Sequence, residues 1–422
     1  MHLFNQSLRK RALLCGISLA CLMPLGAAKA KDFAVLYHFC SQADCTDGRW
    51  PYAALVADGQ GDLFGTTGAG GNKNCRLYGC GTVFKLAPDG TETVLHAFNA
   101  TYDGSGPYGG LIADSKGNLF GTTASAGSAG CGGISYGCGT VFEVTAKGKE
   151  SVLYAFGGGG DGAYPLAGVV ADKAGNLYGT TEYGGGGTTC IVQFGGCGTV
   201  FKIAPNGKET VLYSFSGGAD GAYPQAGLYM DKMGNLFGTT AYGGSSGSYC
   251  TEGASPGCGV VFELNAAGTE STLYTFQGGS DGNVPVAGLI ADKAGNLYGT
   301  TQAGGGGAAC DPVGCGIVFK LTAKGSESVL YTFAGTNDGA HPSAGLLADR
   351  KNNLYGTTYS GGAQDSGTVF KLSPNGKLTV LDTFTGGSDG GAPVAGLLAG
   401  AHGMLYSTTE FGPNGTLFQI KK

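Results

Sequence analysis

Two glutamates, a histidine and an arginine are the residues through which this 422-residue chain could do chemistry. Glu182 and Glu410 stand at one place in two copies of a repeated motif, directly after the second Thr of a Thr-Thr pair. Two carboxyl groups flanking a sugar are the equipment of glycoside hydrolysis, one serving as acid and the other as base. His341 with a neighbouring Tyr could instead abstract a proton in a polysaccharide lyase, with Arg49 neutralising a uronate. Glu252, Asp311 and Asp365 break the repeat pattern as well. Solvated loop acids need no such chemistry, so the catalytic reading of Glu182, Glu410 and His341 stands beside a bland one. The sequence has no His-Glu-x-x-His and no P-loop string, and only His38, His96, His341 and His402 follow residue 30. A multi-histidine metal site is therefore not expected, and neither is a cofactor.

Aromatic residues offer a second kind of site. An Asp-Gly-x-x-Pro string recurs seven times, starting at Asp47, Asp103, Asp161, Asp220, Asp281, Asp338 and Asp389. Its bland reading is a turn in which Asp caps backbone N–H groups and Gly takes positive φ; the sharper one is a carboxylate ring for calcium. The residue just before the Pro varies: Trp50, Gly106, Tyr164, Tyr223, Val284, His341 and Ala392. Repeat proteins keep the scaffold and vary the binding face. Trp50, Tyr164, Tyr223 and His341 are thus expected to rim a ligand site, with Tyr52, Tyr108, Tyr183, Tyr242, Tyr359 and Phe411 adding rings nearby. The alternative is that these rings pack between repeats. Flat rings with few charges suit sugar faces or a protein partner.

The elements that hold these residues are written in three repeated strings. Gly-Thr-Val-Phe-Lys-Leu and its variants begin at Gly81, Gly139, Gly198, Gly259, Gly316, Gly367 and Gly415. Gly-Asn-Leu-Tyr-Gly-Thr-Thr places its first Thr at Thr66, Thr122, Thr180, Thr239, Thr300, Thr357 and Thr408. Val-Leu-Tyr-x-Phe ends at Phe39, Phe98, Phe156, Phe215, Phe276, Phe333 and Phe384. With a run opening on two small residues, such as Ala167-Gly168, each unit has four short apolar runs separated by turn signals. Four antiparallel strands make one blade of a β-propeller. The small pair marks the strand crowded at the axis, and Val-Leu-Tyr-x-Phe is then outermost. The first such outer run, 35–39, has no partners before it, and the last Gly-Thr-Leu-Phe run has no outer strand after it. An all-β, seven-bladed propeller closed by its N-terminal strand is predicted, over residues 31–422, in one domain.

Residues 1–30 read as a signal peptide: Arg9-Lys10-Arg11, an apolar run from Ala12 to Leu25, then Ala28-Lys29-Ala30. Twelve cysteines remain, in six close pairs. These are Cys40 with Cys45, Cys75 with Cys80, Cys131 with Cys138, Cys190 with Cys197, Cys250 with Cys258, and Cys310 with Cys315. Even, local spacing in an exported chain reads as disulfides within loops. The formal net charge of -5, with 13% charged residues, argues against nucleic acid and anionic membranes as partners.

The three strings together resemble the GloVer (Gloeo/Verruco) tandem-repeat proteins, over essentially the whole chain after residue 30. The resemblance implies an exported bacterial protein and supplies no catalytic motif. Such proteins often end in a sorting segment, whereas Lys422 follows the last strand by two residues; release into the periplasm or medium is therefore expected. Two functions remain: a module binding glycan or a surface protein, or an extracellular carbohydrate-active enzyme.

Overall fold

A computed structural model describes residues 32–72, 75, 78–127, 131, 137–186, 190, 195–244, 250, 257–310 and 312–422. Residues 1–30, read above as a signal peptide, and Glu252 and Asp311 lie outside them. The described residues form seven four-stranded antiparallel sheets, the blades of a propeller. Blade three shows the pattern, running outward from the axis as Val170–Ala171, Leu177–Thr181, Thr199–Ile203 and Glu209–Ser214. The two middle strands are buried on both faces except at Tyr178 and Lys202, whereas the outermost is half-exposed.

The innermost strand is two residues long in every blade, and between blades two and three the backbones crowd at the axis. A methyl group on Gly168 of blade three would run into the Gly110 carbonyl of blade two. The pairs of small residues do line the axis.

Each seam between blades repeats two contacts. The terminal Phe of an outermost strand meets the Phe of the next blade edge to face, as in Phe156–Phe201 at 5.1 Å and Phe333–Phe370 at 5.3 Å. Both rings are fully buried, and each such burial stabilises by about 2–3 kcal/mol. The first Thr of each Thr-Thr pair donates to a backbone carbonyl of the following blade, for example Thr122 to Ala167 at 2.8 Å. The seventh seam uses the same devices: Phe39 packs on Phe84 at 4.9 Å and Thr408 donates to the Pro51 carbonyl at 3.1 Å.

Blade seven is shared between the two ends of the described chain. Phe33–His38 pairs antiparallel with Thr416–Lys421, Phe33 opposite Ile420 and His38 opposite Thr416. All six disulfides form as read from the spacing, each inside one loop. Cys40 bonds to Cys45, Cys75 to Cys80 and Cys131 to Cys138. Cys190 bonds to Cys197, Cys250 to Cys258 and Cys310 to Cys315. Several of these cysteines also anchor backbone: the Cys45 carbonyl accepts from Gly48 N at 3.0 Å and from Gly71 N at 2.9 Å, tying the first outer loop to blade one. The Cys80 carbonyl accepts from Gly106 N of the next blade at 2.9 Å.

The Asp-Gly-x-x-Pro strings are turns at the outer ends of the seams. Asp161 accepts from Gly157 N at 2.7 Å and from the Tyr154 hydroxyl at 3.0 Å, and Tyr154 sits on an outermost strand. These aspartates therefore stand at the periphery and do not ring the channel. Among the described residues, no helix is long and apolar enough to cross a membrane.

Candidate functional site

The channel mouth is built by two loops per blade, which meet in a short bridge: Ala163 with Tyr183, Ala222 with Tyr242, Ala340 with Ser360, Gly391 with Phe411. The residue before the Pro occupies the left-handed region in every blade, at φ 57° for Trp50, 59° for Tyr164, 57° for Tyr223 and 57° for His341. This conformation lets its N–H reach back to the preceding blade: Tyr164 to Cys138 O at 2.9 Å, Tyr223 to Cys197 O at 2.8 Å, His341 to Cys315 O at 2.8 Å. Its carbonyl accepts from the residue after the Thr-Thr pair, as in Glu182 N to Tyr164 O at 2.9 Å. The position is a backbone clasp between blades.

The central cavity, about 300 Å³, is lined by the residues after the Pro, among them Tyr52, Tyr108, Gln225 and Ser343, and by the small pairs beneath them. Trp50, Tyr164, Tyr223 and His341 are not in its wall; the residues two positions further on are. Tyr223 is 3% exposed and packs in the core between blades three and four. It belongs to a run of edge-to-face rings, Tyr164–Tyr183–Tyr223–Tyr242, with spacings of 5.6, 5.4 and 6.0 Å. Trp50 packs on Tyr78 at 5.2 Å, and the Arg49 guanidinium lies 4.2 Å from the Trp50 ring centre. His341 Nδ1 hydrogen-bonds Ser360 Oγ at 2.8 Å, and burial pushes its pKa down, against a smaller opposing pull from Asp365. Arg49 and His341 belong to blades one and six and are not brought together.

The two glutamates are not in that wall either, but each hydrogen-bonds a residue that is. Glu410 accepts from the Tyr52 hydroxyl of the next blade at 2.6 Å, and Glu182 accepts from Gln225 Nε2 of the next blade at 2.8 Å. Burial raises both carboxyl pKa values, while those hydrogen bonds pull them down. Glu182 and Glu410 belong to blades three and seven, which are not neighbours, so they do not form one close carboxyl pair.

Around Glu410 the aromatic residues become continuous. Tyr52 meets Tyr108 edge to face at 5.0 Å, and Tyr359 meets Phe411 at 6.2 Å. Burial raises the Tyr359 pKa, and the charge of Glu410 adds to it. Tyr108 of blade two and Phe411 of blade seven remain 39% and 45% exposed, so the arc carries open rings on both sides of Glu410. Among the described residues, no Lys or Arg lines the cavity.

The repeat model of Gloeobacter/Verrucomicrobia proteins matches residues 25–193, 129–307 and 248–422. The chain belongs to this family. No curated protein matches it at a significant level. Among solved structures, this Gloeobacter/Verrucomicrobia repeat protein is similar to an oligogalacturonate lyase in complex with manganese (13% identity, 93% of this chain and 98% of that one, TM-score 0.54). It is also similar to an extracellular domain from B. thetaiotaomicron ascribed to a one-component system, at 8% identity and TM-score 0.54. That match covers 92% of this repeat protein and 40% of the other chain. A chain of a mitotic checkpoint complex aligns over 98% of this one and 99% of its own length at 11% identity and TM-score 0.52. At these identities the likeness is one of fold, and a propeller hosts many unrelated functions.

Proposed function

We propose that this repeat protein is an exported binding module that takes a neutral glycan at the channel mouth. The observation that carries the reading is the arc Phe411–Tyr359–Glu410–Tyr52–Tyr108, in which exposed rings flank one half-buried carboxyl group. Sugar C–H faces stack on such rings, and a carboxylate accepts from hydroxyl groups. A cavity wall without basic side chains favours uncharged sugars over uronates. Export is supported by the six disulfides, which form and persist in oxidising compartments. A glycan array with the mature protein should return neutral oligosaccharides. Tyr108→Ala should weaken that binding by about 1–3 kcal/mol, the usual scale of an aromatic anchor. Binding of acidic glycans only, or affinity indifferent to Tyr108, would reject the reading.

A hydrolase on the same face is the second reading, favoured by the raised carboxyl pKa values of Glu182 and Glu410. Each is biased toward the protonated form a general acid needs. Product release on the same array, lost in Glu410→Gln, would establish it.

A further inference from the structure

The seams between blades carry a second repeated constellation, far from the mouth, and one seam departs from it. At the outer end of each of five seams a residue from one outermost strand, the turn Asp and a Glu from the next outermost strand come together. Between blades two and three these are Tyr154, Asp161 and Glu209; between four and five, Tyr274, Asp281 and Glu327. The Tyr hydroxyl donates to the Asp, at 3.0 Å in both. Between blades one and two the Tyr is replaced by His96. His96 Nε2 lies 3.0 Å from Asp103 Oδ2, and Glu150 completes a trio whose ligand atoms all fall within 4.8 Å of one another. It is the one such trio among the described residues.

Three features separate this trio from an ordinary hydrogen-bonded histidine. Asp103 is 6% exposed and held by Asn99 N at 3.1 Å, so its carboxylate is fixed in place. The Glu150 Oε1 atom is buried in the seam without a hydrogen-bond partner, as are the equivalent atoms of Glu92, Glu209 and Glu327, but only Glu150 has a ring nitrogen beside it. A buried carboxylate oxygen left unpaired is costly, and a cation or a proton is what removes the cost. The replacement of a phenol by an imidazole is the third, since imidazole selects zinc and its first-row neighbours over calcium or magnesium.

We infer that His96, Asp103 and Glu150 form a binding site for one first-row divalent cation, of the zinc class, bridging blades one and two. One nitrogen and two carboxylate oxygens supply three ligands from three separate strand or turn positions, and water would complete the coordination. Its position on the periphery makes it a staple for the seam.

The test uses mature, tag-free protein stripped with chelator and titrated with zinc chloride, read by calorimetry, bound-metal analysis and thermal melting. One zinc per chain and an upward shift in melting temperature are expected. His96→Tyr installs the residue that the same seam position carries in five other blades, so the variant should fold and melt like the metal-free protein. It should bind no zinc at this site and show no zinc-dependent shift. Glu150→Gln, nearly isosteric, should weaken zinc affinity at least tenfold. Absence of uptake by the parent protein, or stoichiometric zinc retained with unchanged affinity by either variant, overturns the site.

Discussion

Tyr223 and Tyr108 are the same side chain in two settings, and the difference is a single proline. Tyr223 precedes its Pro, turns into the seam and is 3% exposed; Tyr108 follows its Pro, faces the cavity and is 39% exposed. Tyr223→Ala should therefore cost about 3 kcal/mol of stability, the scale for emptying a large aromatic site, and denaturant unfolding would measure it. Tyr108→Ala should leave that midpoint unchanged. Equal losses would mean that burial does not separate the two. This distinction was not readable from the chain. The variable position before the Pro was visible, and so were the neighbouring rings, but not the left-handed backbone before the Pro or that the residues after it line the cavity. Glu182 and Glu410 were legible as mouth residues because they follow a strand directly, where side-chain direction alternates predictably. The His96 trio was missed because its members belong to three different strings that meet only across a seam. The one signal available was a His standing where most copies hold Tyr.

At the scale of the element, blade architecture was plain in the sequence because every strand is written seven times. What the repeats hid was how unevenly the axis is crowded, since the same small pair opens the innermost strand in blades whose backbones meet and in blades where they do not. Two glycines there make a paired test. Gly168→Ala should destabilise by about 1–3 kcal/mol through overpacking against Gly110. Gly227→Ala occupies the equivalent place in the next blade, where an added methyl meets nothing within 4 Å, and should be close to neutral. Similar effects at both would show that the axis is not as unevenly crowded as described. The loop disulfides behave alike. Replacing Cys250 and Cys258 together should cost roughly 2 kcal/mol or less, because a bridge over 8 residues restricts the unfolded chain little. Thermal melting of the double variant checks this, and a loss far larger would assign the bridge a role beyond its own loop.

At the scale of the whole molecule, the seams should make stability depend on pH. Burial, with smaller contributions from Asp47, Asp161 and Asp281, pushes Glu92, Glu209 and Glu327 up to about 7. A carboxyl group whose pKa is higher in the folded chain contributes stability that is full below its unfolded value near 4.5 and lost as pH rises through about 7. The melting temperature should therefore fall between pH 5 and pH 8. Glu209→Gln should flatten part of that fall, and a profile that rises over the same window would contradict it.

The shared seventh blade has a consequence in time. Its outermost strand, Phe33–His38, is made among the first segments of the propeller, and its partner, Thr416–Lys421, is the last. However the chain is delivered, from a ribosome or through a membrane pore, that strand waits unpaired while six blades are added. The ring shuts only when Thr416–Lys421 emerges. Any premature stop would then release a chain with two open edges, competent to pair with other copies of itself.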